Sequence, residues 1–218
     1  FLGPPAGPMA ALGDKIASTI LALAAGVPTV SWSGTGVTVD LDAPSWSGTV
    51  PDDVFARACV SGVDDAVRFG RSVGFPLVVK ASEGGGGKGI RVVQEEDRLA
   101  DAWRAVAGEV PGSPIFLMRL VTEARHLEVQ LIADEHGSAI ALYGRDCSVQ
   151  RRHQKIIEEG PVSAAPPEVW RALEAAAVAL AKAVGYVGAG TVEYLYRGDE
   201  SGGEFYFLEL NPRLQVEH

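Results

Sequence analysis

Apolar and polar positions along the chain follow two periods, one near 3.6 and one of 2, and these divide it into elements. The Ala, Leu and Ile spacing over residues 9–25 predicts a helix, ended by Gly26 and Pro28. Residues 31–51 read as loop, with two Trp-Ser-Gly triplets at 32–34 and 46–48 that are too short to make a repeat. Residues 64–73 predict a short helix with Asp64 near its cap and Gly74 and Pro76 closing it. A buried strand over 77–79 runs into Lys80, a second strand covers 90–93, a helix 96–107 and a third strand 115–120. Residues 126–134 alternate, with Leu127, Val129 and Leu131 on one face and Glu128, Gln130 and Ile132 on the other. After a turn at His136 and Gly137, residues 139–143 return as the hairpin partner. An alanine-rich helix over 166–184, started by Pro166, Pro167 and Glu168 and stopped by Gly185, leads to a last pair of strands.

That last pair concentrates chemistry. Residues 191–196 and the apolar run 205–208 are separated by the turn residues 197–203, and the second strand delivers Glu209, Asn211 and Arg213. Glu209 and Asn211 are two apart, so they project from one face, with Leu208 and Leu210 expected to point away into a core. If Tyr196 pairs with Glu204, Glu193 lies opposite Phe207 and diagonal to Glu209, roughly 7–8 Å away between backbones. Glu193, Glu209 and Asn211 then form a candidate site for a hard cation, since carboxylate and amide oxygens suit Mg²⁺. The bland alternative is a set of solvated polar positions on a hairpin.

Residues 84–89 read Gly-Gly-Gly-Gly-Lys-Gly. The spacing fits a dinucleotide fingerprint, but that motif must open a helix and here a strand follows. A Walker loop is excluded because Ser82 stands where glycine is needed and Gly89 where Ser or Thr is needed. What remains is a glycine-rich loop between antiparallel strands. It can close over phosphates through its backbone N–H groups, with Lys80, Lys88 and Arg91 supplying charge; a plain flexible hairpin tip is the alternative. Residues 145–155 form the densest polar run, and their cations either meet an anion or pair with nearby acids such as Glu158 and Glu159.

With 218 residues, 47% of them hydrophobic, the chain can bury a core. The net charge of −9 argues against nucleic-acid and anionic-membrane partners, and no apolar run approaches a membrane span. Cys59 and Cys147, far apart and in no metal-binding spacing, fit a reducing compartment. The chain starts at Phe1 and stops at His218 inside its densest motif, so a piece of a larger protein is expected.

The order helix, strand, glycine loop, strand, helix and acid-tipped meander resembles an ATP-grasp domain. In more detail the chain resembles the biotin carboxylase domain of eukaryotic-type multidomain acetyl-CoA carboxylases. The residues that carry the resemblance are Gly13-Asp14-Lys15, Lys80-Ala81-Ser82-Glu83 with the glycine loop, 126–130, 145–155, Gly190-Thr191-Val192-Glu193 and 209–218. The resemblance implies an α+β ATP-grasp fold of antiparallel sheets with flanking helices and a glycine-rich hairpin flap. It implies three parts: residues 1–64 as a linker helix and family-specific loop, 65–120 as the small lid subdomain, and 121–218 as a large subdomain truncated at its C-terminal end.

The same resemblance implies roles. Lys15, Lys80, Gly84, Gly85, Gly86, Gly87, Lys88, Gly89, His126, Gln150 and His153 would bind ATP, and Glu193, Glu209 and Asn211 would hold Mg²⁺ or Mn²⁺. Lys155, Arg213, Gln215 and Val216 would bind bicarbonate, with Glu217 as its base and Arg213 also steadying the biotin anion. Bacterial members carry an acid and a lysine where this chain has Met118 and Arg119, so the adenine amine would be met there by backbone. Bicarbonate needs deprotonation to attack and a guanidinium suits a planar anion, which fits these assignments chemically. The implied activity is ATP- and bicarbonate-dependent carboxylation of biotin through carboxyphosphate, with a biotinyl carrier domain as partner and a homo-oligomeric, cytoplasmic or plastid parent. The isolated chain is expected to be inactive. The alternatives are another biotin-dependent carboxylase, a different ATP-grasp ligase, and a nucleotide-binding piece without turnover.

Overall fold

The computed structural model describes residues 3–44, 46–85, 87–152, 154–199 and 201–214. The expected helix over 9–25 is two helices, α1 (Ala6–Gly13) and α2 (Lys15–Ala24). Asp14 divides them because its backbone is extended and its carboxylate accepts from the N–H groups of Ile16 and Ala17 at the start of α2. Such a cap is worth about 1 kcal/mol, and it falls where Gly13, Asp14 and Lys15 interrupt the apolar face. The stretch after α2 has little regular structure, yet it is not a surface loop at its start. Trp32 is buried and bridges to Met118, and the Ser33 hydroxyl donates to the carbonyl of Ala58 at 2.7 Å.

A short helix α3 (Asp52–Ala58) precedes α4 (Val63–Val73), β1 (Leu77–Ala81) and β2 (Ile90–Val93). A 3₁₀ turn (Glu96–Arg98) runs into α5 (Leu99–Glu109), followed by β3 (Ile115–Arg119). These strands form an antiparallel sheet in the order β2-β1-β3. Its core, Leu77, Val79, Leu99, Val106 and Leu117, is covered by α4 and α5.

The second sheet holds β4 (Arg125–Ala133), β5 (Ala139–Arg151), β6 (Gln154–Glu159), β7 (Gly188–Asp199) and β8 (Gly202–Asn211) in the order β6-β5-β4-β7-β8. Helix α6 (Pro167–Ala183) packs Leu173, Ala177 and Leu180 onto the face of Leu127, Val129 and Leu131. The polar run 145–155 is thus mostly strand: β5 extends well past Tyr143 and turns into β6. Ile16 and Ile20 of α2 meet Trp32, Phe116 and Met118 in a third cluster that joins the two sheets. Among the described residues no helix is long and apolar enough to cross a membrane.

The last hairpin differs from the expected register. Arg197, not Tyr196, pairs with Glu204, and the ladder shifts between Glu193 and Tyr194. Tyr194 faces Phe207 while Glu193 faces Glu209, so Leu208 is the extra residue of a bulge. Consequently Glu193 sits directly opposite Glu209 rather than diagonal to it. The bulge also turns Leu208 toward the same cavity as Glu209, whereas only Leu210 reaches the core.

Candidate functional site

A cavity of about 420 Å³ opens between the two sheets. The smaller sheet supplies Val78, Lys80, Ile90, Val92 and Met118; the larger supplies His126, Lys155, Glu193, Leu195, Leu208 and Glu209; α2 supplies Lys15, and the glycine loop Gly84, Gly85 and Gly87. Gln150 completes the candidates gathered there. A larger open depression of about 760 Å³, lined by Arg125, Asp146, Gly160 and Asp199, holds none of them.

The glycine loop is tied at its base. The N–H of Ala81 donates to the carbonyl of Gly89 at 2.8 Å, and the N–H of Ser82 to that of Pro114 at 2.8 Å. A methyl group at Gly84 would lie 2.5 Å from the Lys88 carbonyl oxygen, and one at Gly89, where φ is +71°, would lie 2.8 Å from Ala81 Cβ. These two glycines close the base, and neither has room for a side chain. At Gly85, by contrast, an added methyl meets nothing within 4 Å. Lys88 is exposed on the loop, and Arg91 does not supply charge to it: its guanidinium pairs with Glu109 of α5 at 2.9 Å.

Lys15 reaches from α2 to donate to the Gly84 carbonyl at 2.6 Å and, more weakly, to that of Ser82 at 3.3 Å. Lys80 lies beside Met118, its Nζ 3.6 Å from Sδ. Burial lowers the Lys80 pKa to about 8, with Glu209 opposing and Lys15 reinforcing the shift.

Across the cavity, the acids are threaded into a chain of cations. Glu128, fully buried on β4, accepts from both Arg145 and Lys155, and Lys155 also donates to Glu193 at 2.8 Å. Arg145 also lies 3.6 Å from Glu158, so that acid takes part, but the principal partner of the polar run is Glu128 on the neighbouring strand. Burial works against the charge of Lys155, but Glu193 and Glu128 outweigh it and hold the pKa above the ordinary lysine value. Lys155 is therefore held protonated between its two acids.

Glu193 further accepts from His126 Nε2 at 2.6 Å and from Asn211 Nδ2 at 2.8 Å. The Gln150 amide lies 2.9 Å from His126 Nδ1, so the imidazole is held between Gln150 and Glu193. Burial opposes ionisation of Glu193, yet His126 and Lys155 prevail and draw its pKa down to about 2. Glu209 moves the other way, raised by burial and then by the negative charge of Glu193. Two carboxylates facing each other with an amide alongside form an all-oxygen donor set, and the repulsion that raises Glu209 is what a divalent cation relieves. The residues present thus fit Mg²⁺ or Mn²⁺. One carboxylate oxygen of Glu193 would exchange a present partner for the ion.

Arg213 stands apart. It is exposed beyond β8, does not line the cavity, and donates only to the carbonyl of Leu214 at 3.3 Å among the described residues. Gly86, His153, Gln215, Val216 and Glu217 lie outside the described residues. Sequence reasoning missed Glu128 as the hub of the ion pairs, although its place two residues after His126 on an alternating strand put both on one face. It also missed the apolar lining, which carries no signal distinguishing it from core.

The model of the family described as carbamoyl-phosphate synthase L chain, ATP binding domain, matches residues 52–218. The acetyl-CoA carboxylase of Dictyostelium discoideum is 62% identical over 218 residues, covering all of this chain and 9% of that protein. That of Saccharomyces cerevisiae is 57% identical over 219 residues, covering all of this chain and 10% of that protein. Among solved structures, the biotin carboxylase-β,γ-ATP complex of Campylobacter jejuni superposes with a TM-score of 0.84 at 35% identity, covering the whole chain and 44% of that one. The biotin carboxylase domain of Hydrogenobacter thermophilus 2-oxoglutarate carboxylase, in complex with MgADP, ADP and bicarbonate, gives 0.81 at 33% identity, covering the whole chain and 43% of that one. The chain spans about a tenth of the length of these curated relatives. It belongs to the family described as carbamoyl-phosphate synthase L chain, ATP binding domain, and over its whole length it is similar to a part of eukaryotic acetyl-CoA carboxylases and of biotin carboxylases.

Proposed function

We propose that this segment forms the nucleotide half of a biotin carboxylase site, in which ATP and bicarbonate yield carboxyphosphate for the carboxylation of a carrier-bound biotin. The observation that carries the reading is the single cavity that gathers Lys15, Lys80, the glycine loop, Lys155 and the facing acids Glu193 and Glu209. The apolar lining of Val78, Val92, Met118 and Leu208 suits a purine, and Lys15 and Lys80 suit its phosphates. Met118 offers the adenine amine only a weak thioether acceptor, already beside Lys80, which leaves that contact to backbone.

Glu193, Glu209 and the Asn211 oxygen would hold Mg²⁺ or Mn²⁺, and the bound ion would offset charge on the β- and γ-phosphates. Lys155, kept protonated by its two acids, would hold the bicarbonate anion beside the γ-phosphate. The glycine loop would exclude water from the labile carboxyphosphate. Arg213 and Glu217 would complete the acceptor side in the parent enzyme, Glu217 taking the bicarbonate proton and Arg213 steadying the biotin anion. The fold's relatives support biotin as acceptor and a ligase activity of the longer protein. Free Cys59 and Cys147 accord with a cytoplasmic or plastid location.

Because Arg213 lies away from the cavity, we infer that residues 1–218 alone bind nucleotide without turnover. Biotin-dependent ATP cleavage by the purified segment would overturn that inference. For the parent enzyme, the test is bicarbonate-dependent ATP cleavage stimulated by biotin, with Arg213→Ala abolishing carboxylation while ATP affinity stays nearly constant. Equal loss of both would refute the assignment.

A further inference from the structure

The N-terminus of α2 and the root of the glycine loop are joined by a buried polar contact between residues far apart in sequence. The Ser82 hydroxyl donates to Asp14 Oδ2 at 2.6 Å and accepts from the N–H of Lys15 at 3.1 Å and of Ile16 at 3.3 Å. Ser82 is 1% exposed. The other oxygen of Asp14 caps α2, so one carboxylate holds the helix start and the loop root together. The next residues out on each side are Lys15, whose ammonium binds the Gly84 carbonyl, and Glu83 leading into the glycines.

We propose that Asp14 and Ser82 are positioning residues for nucleotide binding: they lock α2 to the glycine loop so that Lys15 and the loop's backbone N–H groups approach the phosphates as one preassembled unit. This rests on the reading of Lys15 as a phosphate ligand. The geometry requires it to act through Lys15. With the Ser82 hydroxyl removed, the N–H of Lys15 loses its acceptor, the carboxylate of Asp14 loses a donor, and the helix start is tied to the loop only through the Lys15 ammonium. A lysine whose backbone is not fixed loses preorganisation, and affinity falls without any loss of a direct ligand contact.

The test is a double-mutant cycle on ATP affinity, measured by titration calorimetry in the full-length parent protein with Ser82→Ala, Lys15→Ala and the pair. The expected result is that Ser82→Ala weakens ATP by about three- to tenfold and that the same change has little further effect once Lys15 is alanine. Unchanged affinity in Ser82→Ala, or effects of the two changes that simply multiply, overturns the proposal while leaving the nucleotide site intact. If Lys15→Ala itself leaves ATP binding unaltered, the site assignment fails and the positioning role fails with it. Should Ser82→Ala not fold, Asp14→Asn, which keeps the cap oxygen but replaces the acceptor facing Ser82, is read in the same cycle by the same criteria.

Discussion

Glu193 and Glu209 face each other directly across the β7–β8 ladder, and their ionisation is driven in opposite directions. Like charges placed opposite one another destabilise a sheet pair unless something neutralises them. Glu209→Gln should therefore raise the stability of the nucleotide-free protein by about 0.5 kcal/mol, measured by urea unfolding. In the same variant, Mg²⁺-dependent ATP binding should weaken by more than about tenfold, as the loss of a metal ligand requires. A variant that loses stability and keeps its metal dependence would refute this role.

Lys80 gives a pH signature. Its folded pKa of about 8 lies below the ordinary 10.5, so between those values the unfolded chain holds the extra proton and stability rises with pH across that window. Polyphosphate in the cavity favours the charged lysine. Nucleotide binding should therefore take up a proton from solution above about pH 8 and take up little below about pH 7. Calorimetry in buffers of different ionisation enthalpy measures that uptake, and Lys80→Met should abolish it.

The glycines of the loop separate into two kinds. Gly84→Ala forces a methyl to 2.5 Å from the backbone of Lys88 and should disturb the loop base, whereas Gly85→Ala enters open space. The first should lower ATP affinity by at least about tenfold through lost preorganisation and the second by about threefold or less. Equal effects would show that the base is not rigid.

Glu128 has no solvent contact and neutralises two cations. Removing one partner from a buried ion-pair set leaves the others uncompensated, so Glu128→Ala should cost about 3 kcal/mol. Thermal and urea melts report that loss.

Local pattern was enough for elements whose ends are punctuated. The strand over 90–93 and the helix closed by Gly74 stand where glycine, proline and periodicity put them, because turn chemistry acts within a few residues. At residues 13–15 the Gly-Asp-Lys triplet interrupts the apolar face without by itself ending the predicted helix, and the capping hydrogen bonds of Asp14 show that it is a break between two helices. Arg91 was misread for a related reason: its partner Glu109 lies on another element.

By itself the sequence determined which residue types the site contains, and that a glycine loop and strand-borne acids belong to one kind of chemistry. Only the tertiary structure decided their pairing. The bulge at Leu208 moves Glu209 opposite Glu193, β4 brings Glu128 under Lys155 and Arg145, and α2 brings Lys15 onto Gly84. The physical reason is that a one-residue slip in a ladder costs little locally but reverses which face each later side chain takes. That choice is settled by packing against distant strands and helices.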